Sequence, residues 1–135
     1  MATRRASRHL ALEILYEADI REGSLDVVVS RRAGEAAFPY ASKLLDGIAA
    51  NRTEIDALIS RHSLGWSLKR MPVVDRNILR IALYELIYDE DVPAAVAIDE
   101  AVDLAKELST ADSGRFVNGV LSRVAEIQSG SEPVL

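Results

Sequence analysis

Three guanidinium groups, Arg4, Arg5 and Arg8, stand within the first twelve residues of the chain with no acidic residue among them. Guanidinium is permanently charged and presents a planar fork of donors, so it suits phosphate oxygens. Arg4 and Arg8 are spaced i,i+4 and share one face of a helix that starts early enough. Tyr16 lies two further turns along a similar face, where its ring offers a stacking plane. Arginine and aromatic surfaces together are the means by which single-stranded RNA is recognised. A second cluster is Asp112-Ser113-Gly114-Arg115-Phe116. Ser113 is read as an N-cap, which would leave free N–H groups and the positive end of a helix to receive a phosphate. Arg115 adds charge and Phe116 adds a ring, although Phe116 also continues the apolar stripe of Val120 and Val124, and that periodicity slightly favours a core role. Asp112 beside a phosphate would repel it, so Asp112→Asn is expected to strengthen binding.

Other chemistry is poorly supported. There is no cysteine, which removes disulfides, thiolate nucleophiles and cysteine metal sites. His9 and His62 have no neighbour at ligand spacing. No GxSxG, SxxK, GxxxxGK[ST] or strand-borne GxGxxG pattern occurs. Asp99, Glu100, Asp103 and Glu107 crowd one helix but read as a solvated acidic face rather than an acid/base pair. No catalytic residue, metal or cofactor is expected.

The charge distribution constrains any polyanion partner. The net charge is −5; of 16 basic residues three are in the basic head, which leaves 13 against 21 acidic residues in the body. An acidic body repels RNA non-specifically, so contact must be local. Three phosphate contacts would give a single-strand salt slope of only about −2.

The elements that must carry these residues are helices. Apolar spacing of three and four runs through the chain. Leu12, Leu15, Tyr16 and Ile20 mark a first helix, and Ser24 caps a second through Leu25, Val28 and Val29, with a strand at 27–29 as the weaker alternative. Pro39 suits the first turn of a third helix with Leu44 and Ile48 inward. Thr53 and Asp56 resemble a capping box, so this region is either one helix to about His62 or two helices broken near Asn51. Gly65-Trp66-Ser67 is a turn, with Trp66 and Tyr40 read as core or rim. Residues 78–87 are apolar nearly all round apart from Arg80 and Glu85, which marks a buried central helix. It ends at Asp91-Val92-Pro93. A helix through Ile98, Ala101, Val102, Ala105 and Leu108 follows, then a polar break at 109–114 and a last helix to Ile127. The expectation is an all-α bundle of about six or seven helices in one domain, 1–128, with a loose tail at 129–135. No apolar run is long enough to span a bilayer, and a cytoplasmic location is expected.

Several segments together resemble the bacterial transcription antitermination factor NusB family. They are the arginine-rich opening leading to Leu15-Tyr16, and Val74-Asp75-Arg76 running through Leu79-Arg80-Ile81-Ala82-Leu83-Tyr84-Glu85. Val92-Pro93, Val96-Ala97-Ile98-Asp99-Glu100-Ala101 and Leu104-Ala105-Lys106 follow in family order. Asp112-Ser113 and Phe116-Val117-Asn118-Gly119-Val120-Leu121 complete the match. Asp99 stands where the family commonly has Asn, and Gly114-Arg115 where a His-Lys pair can occur.

The resemblance implies two three-helix sub-bundles and no enzyme activity. It implies pairing with NusE, the small-subunit ribosomal protein that doubles as a transcription factor, on boxA RNA within an RNA polymerase antitermination complex that reads through ribosomal RNA operons. Carried over, the RNA surface comprises Arg4, Arg5, Arg8, Tyr16, Asp112, Ser113, Arg115 and Phe116, and Asp75 faces NusE. A homodimer that hides the RNA face is compatible with this reading. Two alternatives stay open: the NusB-like accessory domain of an RNA methyltransferase, and a helical interaction module without RNA binding.

Overall fold

A computed structural model describes residues 2–21 and 24–129. The expected loose tail falls, apart from Ser129, outside the described residues, as does Gly23. The helices are α1 (Arg4–Arg21), α2 (Leu25–Arg32), α3 (Phe38–Ala50), α4 (Arg52–His62), α5 (Val73–Tyr88), α6 (Ala94–Leu108) and α7 (Ala111–Gln128), with no strand among the described residues. Val27 to Val29 are therefore helical.

Each boundary has a local cause. Pro39 sits in the first turn of α3, where its missing N–H costs nothing. Asn51 separates α3 from α4: its φ and ψ of −121° and 20° break the helix, and its Nδ2 donates to the Gly47 carbonyl at 2.8 Å. The capping box read at Thr53 and Asp56 does not form, because Asp56 is drawn instead to Arg80. Ser24 occupies the N-cap of α2 without a capping hydrogen bond from its side chain. The last helix starts earlier than its sequence suggests: Thr110, not Ser113, is the N-cap, and its hydroxyl accepts from the Ser113 N–H at 3.0 Å.

Helix α1 packs on α2 and α3, while α5, α6 and α7 pack on one another. Helix α5 also lies against α1 and α3, and α4 bridges α3, α5 and α7. Two helical groups thus share α5 as a common wall. Its burial explains the apolar run from Ile78 to Leu83, and two of its three buried charged residues, Glu85 and Arg80, are neutralised from other helices. Glu85 receives the Arg8 guanidinium at 2.8 Å and the Tyr40 hydroxyl. Arg80 binds Asp56 at 2.9 Å and Asp19 at 3.3 Å. A charge removed from water is tolerable only with such partners.

Helices α3 and α5 approach most closely where Gly47 meets Tyr84; a Cβ at Gly47 would lie 2.0 Å from the Tyr84 ring. Alanine normally favours a helix over glycine, but here the buried ring must move. Gly47→Ala is expected to destabilise the fold by about 1–3 kcal/mol, read as a lower urea midpoint with an unchanged slope.

Candidate nucleic-acid interface

The three head arginines meet three different fates. Arg4 is exposed, with its guanidinium 4.8 Å from the centre of the Tyr40 ring. Arg5 is 60% exposed and reaches across to α6, where Glu100 and Asp103 each accept from it at 3.0 Å. Those partners hold its guanidinium above its ordinary pKa. Arg8 is 4% exposed and belongs to the interior, so it does not share the RNA-facing surface expected of it. The i,i+4 spacing of Arg4 and Arg8 is real, but the start of α1 packs against α5, and that face ends on Glu85.

Tyr16 is 43% exposed. It borders a shallow apolar groove with His9, Leu12, Val74 and Leu108, where the start of α5 and the end of α6 meet α1. Part of the second cluster borders a cavity of about 420 Å³ at the junction of the 63–72 loop, α5 and α7, while Gly114 and Arg115 lie in a separate groove. Asp112, Ser113 and Phe116 line it. Phe116 is half-buried: it packs on the core, as its place on the Val120 and Val124 stripe suggests, and its remaining surface borders the cavity. Ser113 is buried, and its hydroxyl donates to Asp75 Oδ2 at 2.8 Å instead of capping α7. Arg115 and Asp112 are exposed and paired with each other.

Asp75 is not an outward-facing residue. It is 3% exposed and lines the same cavity beneath Ser113, so it offers a protein partner little surface of its own. A neighbouring polar groove carries the face onward through Asp103, Lys106, Arg115 and Asn118. Asp103 accepts from Arg5 and lies in that groove, whose Gly114 and Arg115 are chain neighbours of Ser113 and Phe116 in the cavity wall; this strip of α6 and α7 also carries Asp99.

Four further residues stand near this face: Trp66, read as core or rim, Lys106, and Lys69 and Arg70, which the sequence reading did not single out. Trp66 is 53% exposed at the cavity mouth, its ring centre 6.4 Å from that of Phe116. Leu64 and Gly65, with φ of 44° and 92°, turn the chain to bring it there. Lys69 and Arg70 follow on the same loop, exposed, and with Lys106 they enter no ion pair among the described residues. A Lys-Arg pair after a Gly-Trp turn was the available signal. No group of three or more His, Asp or Glu residues fit to hold a metal occurs among the described residues, and none of their helices is long and apolar enough to cross a membrane.

Fold and surface together describe an all-helical protein with a polar and aromatic face. Residues 5–126 match the NusB family model. The chain is 51% identical over 132 residues to the transcription antitermination protein NusB of Saccharopolyspora erythraea, covering 94% of this chain and 89% of that one. It is 47% identical to that of Acidothermus cellulolyticus, covering 96% and 91%. Among solved structures, T. maritima NusB superposes with a TM-score of 0.84 at 39% identity, covering 93% of this chain and 92% of that one. A chain from a crystal structure of antitermination factors NusB and NusE in complex with double-stranded RNA gives 0.78 at 32% identity, covering 92% and 96%. The chain belongs to the NusB family, whose members are antitermination proteins rather than enzymes.

Proposed function

We propose that this chain is a transcription antitermination factor that binds boxA-type single-stranded RNA together with NusE, and so promotes read-through of ribosomal RNA operons by RNA polymerase in the cytoplasm. The observation that carries the RNA reading is the strip running from Arg5 through Lys106 and Arg115 to the Trp66–Phe116 cavity. It combines unpaired cations, exchangeable ion pairs, the exposed Trp66 ring and the half-buried Phe116 ring on an otherwise acidic protein. A relative seen with NusE and RNA supports the choice of partners. Arg4, Arg5, Arg115, Phe116 and Tyr16 are its direct contacts; Arg8 acts by fixing α1 from within.

Few phosphates are within reach of so small a basic surface. Affinity from them alone stays near the non-specific range of about 10⁻⁴ to 10⁻⁶ M, and a second protein must extend the surface. A gel-shift titration with boxA RNA and a scrambled control, with and without NusE, tests this. Tighter binding of boxA RNA in the presence of NusE is expected; equal binding of both RNAs would remove the proposal. In the same titration Asp112→Asn is expected to bind about two- to fivefold tighter, because it releases Arg115 and removes a charge beside the phosphate path.

A further inference from the structure

The end of α4 is tied to α7 through one residue on each helix. Arg123 Nη2 donates to the His62 carbonyl at 2.6 Å. His62 is the last residue of α4, so the guanidinium already occupies the negative end of that helix. Ser63, 1% exposed, follows with its hydroxyl turned back to the Ile59 carbonyl. Leu64 and Gly65 then turn the chain into the loop that presents Trp66. The placement of that loop begins at this joint.

The joint is poorly satisfied. Among the described residues three buried side-chain polar atoms have no hydrogen-bond partner, and two of them are here: His62 Nε2 and Arg123 Nε. A neutral imidazole loses only a weak acceptor contact in such a place, whereas an imidazolium would put a charged N–H there with nothing to receive it. The charges that act on the ring are Arg123 from α7 and Arg61 from its own helix, both cations. Glu126, one turn beyond Arg123, is exposed. The acids of α4 are engaged nearer its other end: Asp56 with Arg52 and with Arg80 of α5, Glu54 with Tyr88 of α5. Helix α3 contributes Lys43, bound to Asp89, and the exposed Asp46. Burial first, then the two cations, hold the His62 imidazole below its ordinary pKa of 6.5.

We propose that His62 is an acid-released clamp: on taking up a proton it is driven from Arg123, opens the joint between α4 and α7, and frees the 63–72 loop with Trp66 while the helices stay folded. The device works in the free protein and does not depend on what the loop binds. The opened joint takes up protons more readily than the closed one, so the clamp is fully closed above about pH 6.5 and weakens as pH falls below it. One proton gained on opening raises the opening constant by up to about tenfold per pH unit.

Full-length protein is taken from about pH 7.5 to about pH 5.5, above the ordinary carboxylate range. The His62 ring is followed by NMR and helix content by circular dichroism. The loop is followed by amide exchange, corrected for its intrinsic pH dependence, and by the fluorescence anisotropy of Trp66, the single tryptophan of the chain. Expected are a His62 midpoint below 6.5, a loop opening constant about five- to tenfold larger at the acid end, a parallel fall in Trp66 anisotropy, and unchanged helix content. His62→Gln, neutral throughout, should show no acid loosening. His9→Gln removes the other histidine, which lies beside Glu13 on α1, and should behave as the parent does. The ring titration and loop exchange of the unaltered protein keep the test decisive if His62→Gln fails to fold. A His62 midpoint at or above 6.5, a loop that opens no more at the acid end, or loosening that survives in His62→Gln would each overturn the clamp. Loss of helix content in step with the loop signal would make the effect global unfolding and overturn it as well.

Discussion

Glu85→Ala should lower the stability of the fold by about 3–5 kcal/mol, the usual cost of leaving a buried charge without its partner. Glu85 is 1% exposed and lies between the Arg8 guanidinium, itself 4% exposed, and the Tyr40 hydroxyl. Without it, Arg8 retains only the longer contact to Glu100 at 3.9 Å. Tyr40 keeps only a hydrogen bond of 3.4 Å to Asp89. Urea denaturation measures the loss. A double variant, Arg8→Met with Glu85→Leu, removes both charges and should recover most of the stability, since apolar substitutes often match a buried pair. A double variant no more stable than Glu85→Ala would refute this account of the pair.

The same cluster has an alkaline signature. Burial, followed by the hydrogen bond to Glu85, pushes the Tyr40 hydroxyl above its ordinary pKa of 10.0. A group whose folded pKa is raised contributes stability that is complete below the unfolded pKa and disappears as pH rises through the folded value. Stability should therefore fall above about pH 10, and fall less steeply in Tyr40→Phe.

The second large effect concerns binding. Replacing Arg4 and Arg5 with Ala should reduce the single-strand salt slope by about 1.4 and weaken RNA binding roughly 20-fold at 0.1 M salt, from about 0.7 per lost phosphate contact. The fold should be nearly unaffected, because both side chains are exposed and surface pairs contribute little. Including Arg8 in the set would confuse binding with unfolding. Glu100→Gln with Asp103→Asn tests the same surface from the other side. Arg5 now exchanges carboxylates for phosphates on binding RNA, and freeing it should tighten binding severalfold. An unchanged salt slope in the Arg4 and Arg5 double variant would show that phosphates are met elsewhere on the strip.

The helical architecture was legible because apolar periodicity reports burial directly. The run over 78–87 identified α5 as the centre, Pro39 was readable from local chemistry, and the break near Asn51 was one of two alternatives the sequence left open. Direction around a helix axis was less so. Arg8 and Glu85 each look like solvent residues in isolation, and only tertiary packing 77 residues apart makes them a buried pair. The same limit hid the path of Ser113, whose hydroxyl was drawn from capping to Asp75 by an aspartate on another helix. Trp66, read as core or rim, is at the rim; two left-handed residues set its position, and neither carries a periodic signal. The residues of the cavity come from three separated segments, 66–75, 109–113 and Phe116, and their convergence is a property of the fold alone.

The shared wall has a consequence for synthesis. Helices α1 to α3 precede α5 in the chain, yet Leu10, Ile14, Leu44 and Ile48 are shielded by a core that includes it. While the ribosome is still making residues 73–88, those apolar faces have no completed surface to close against, and Arg8 has no Glu85. The first half of the nascent chain must therefore wait in a loosely collapsed state, exposed to chaperones and to misassociation, until the fifth helix emerges and lets both groups settle together.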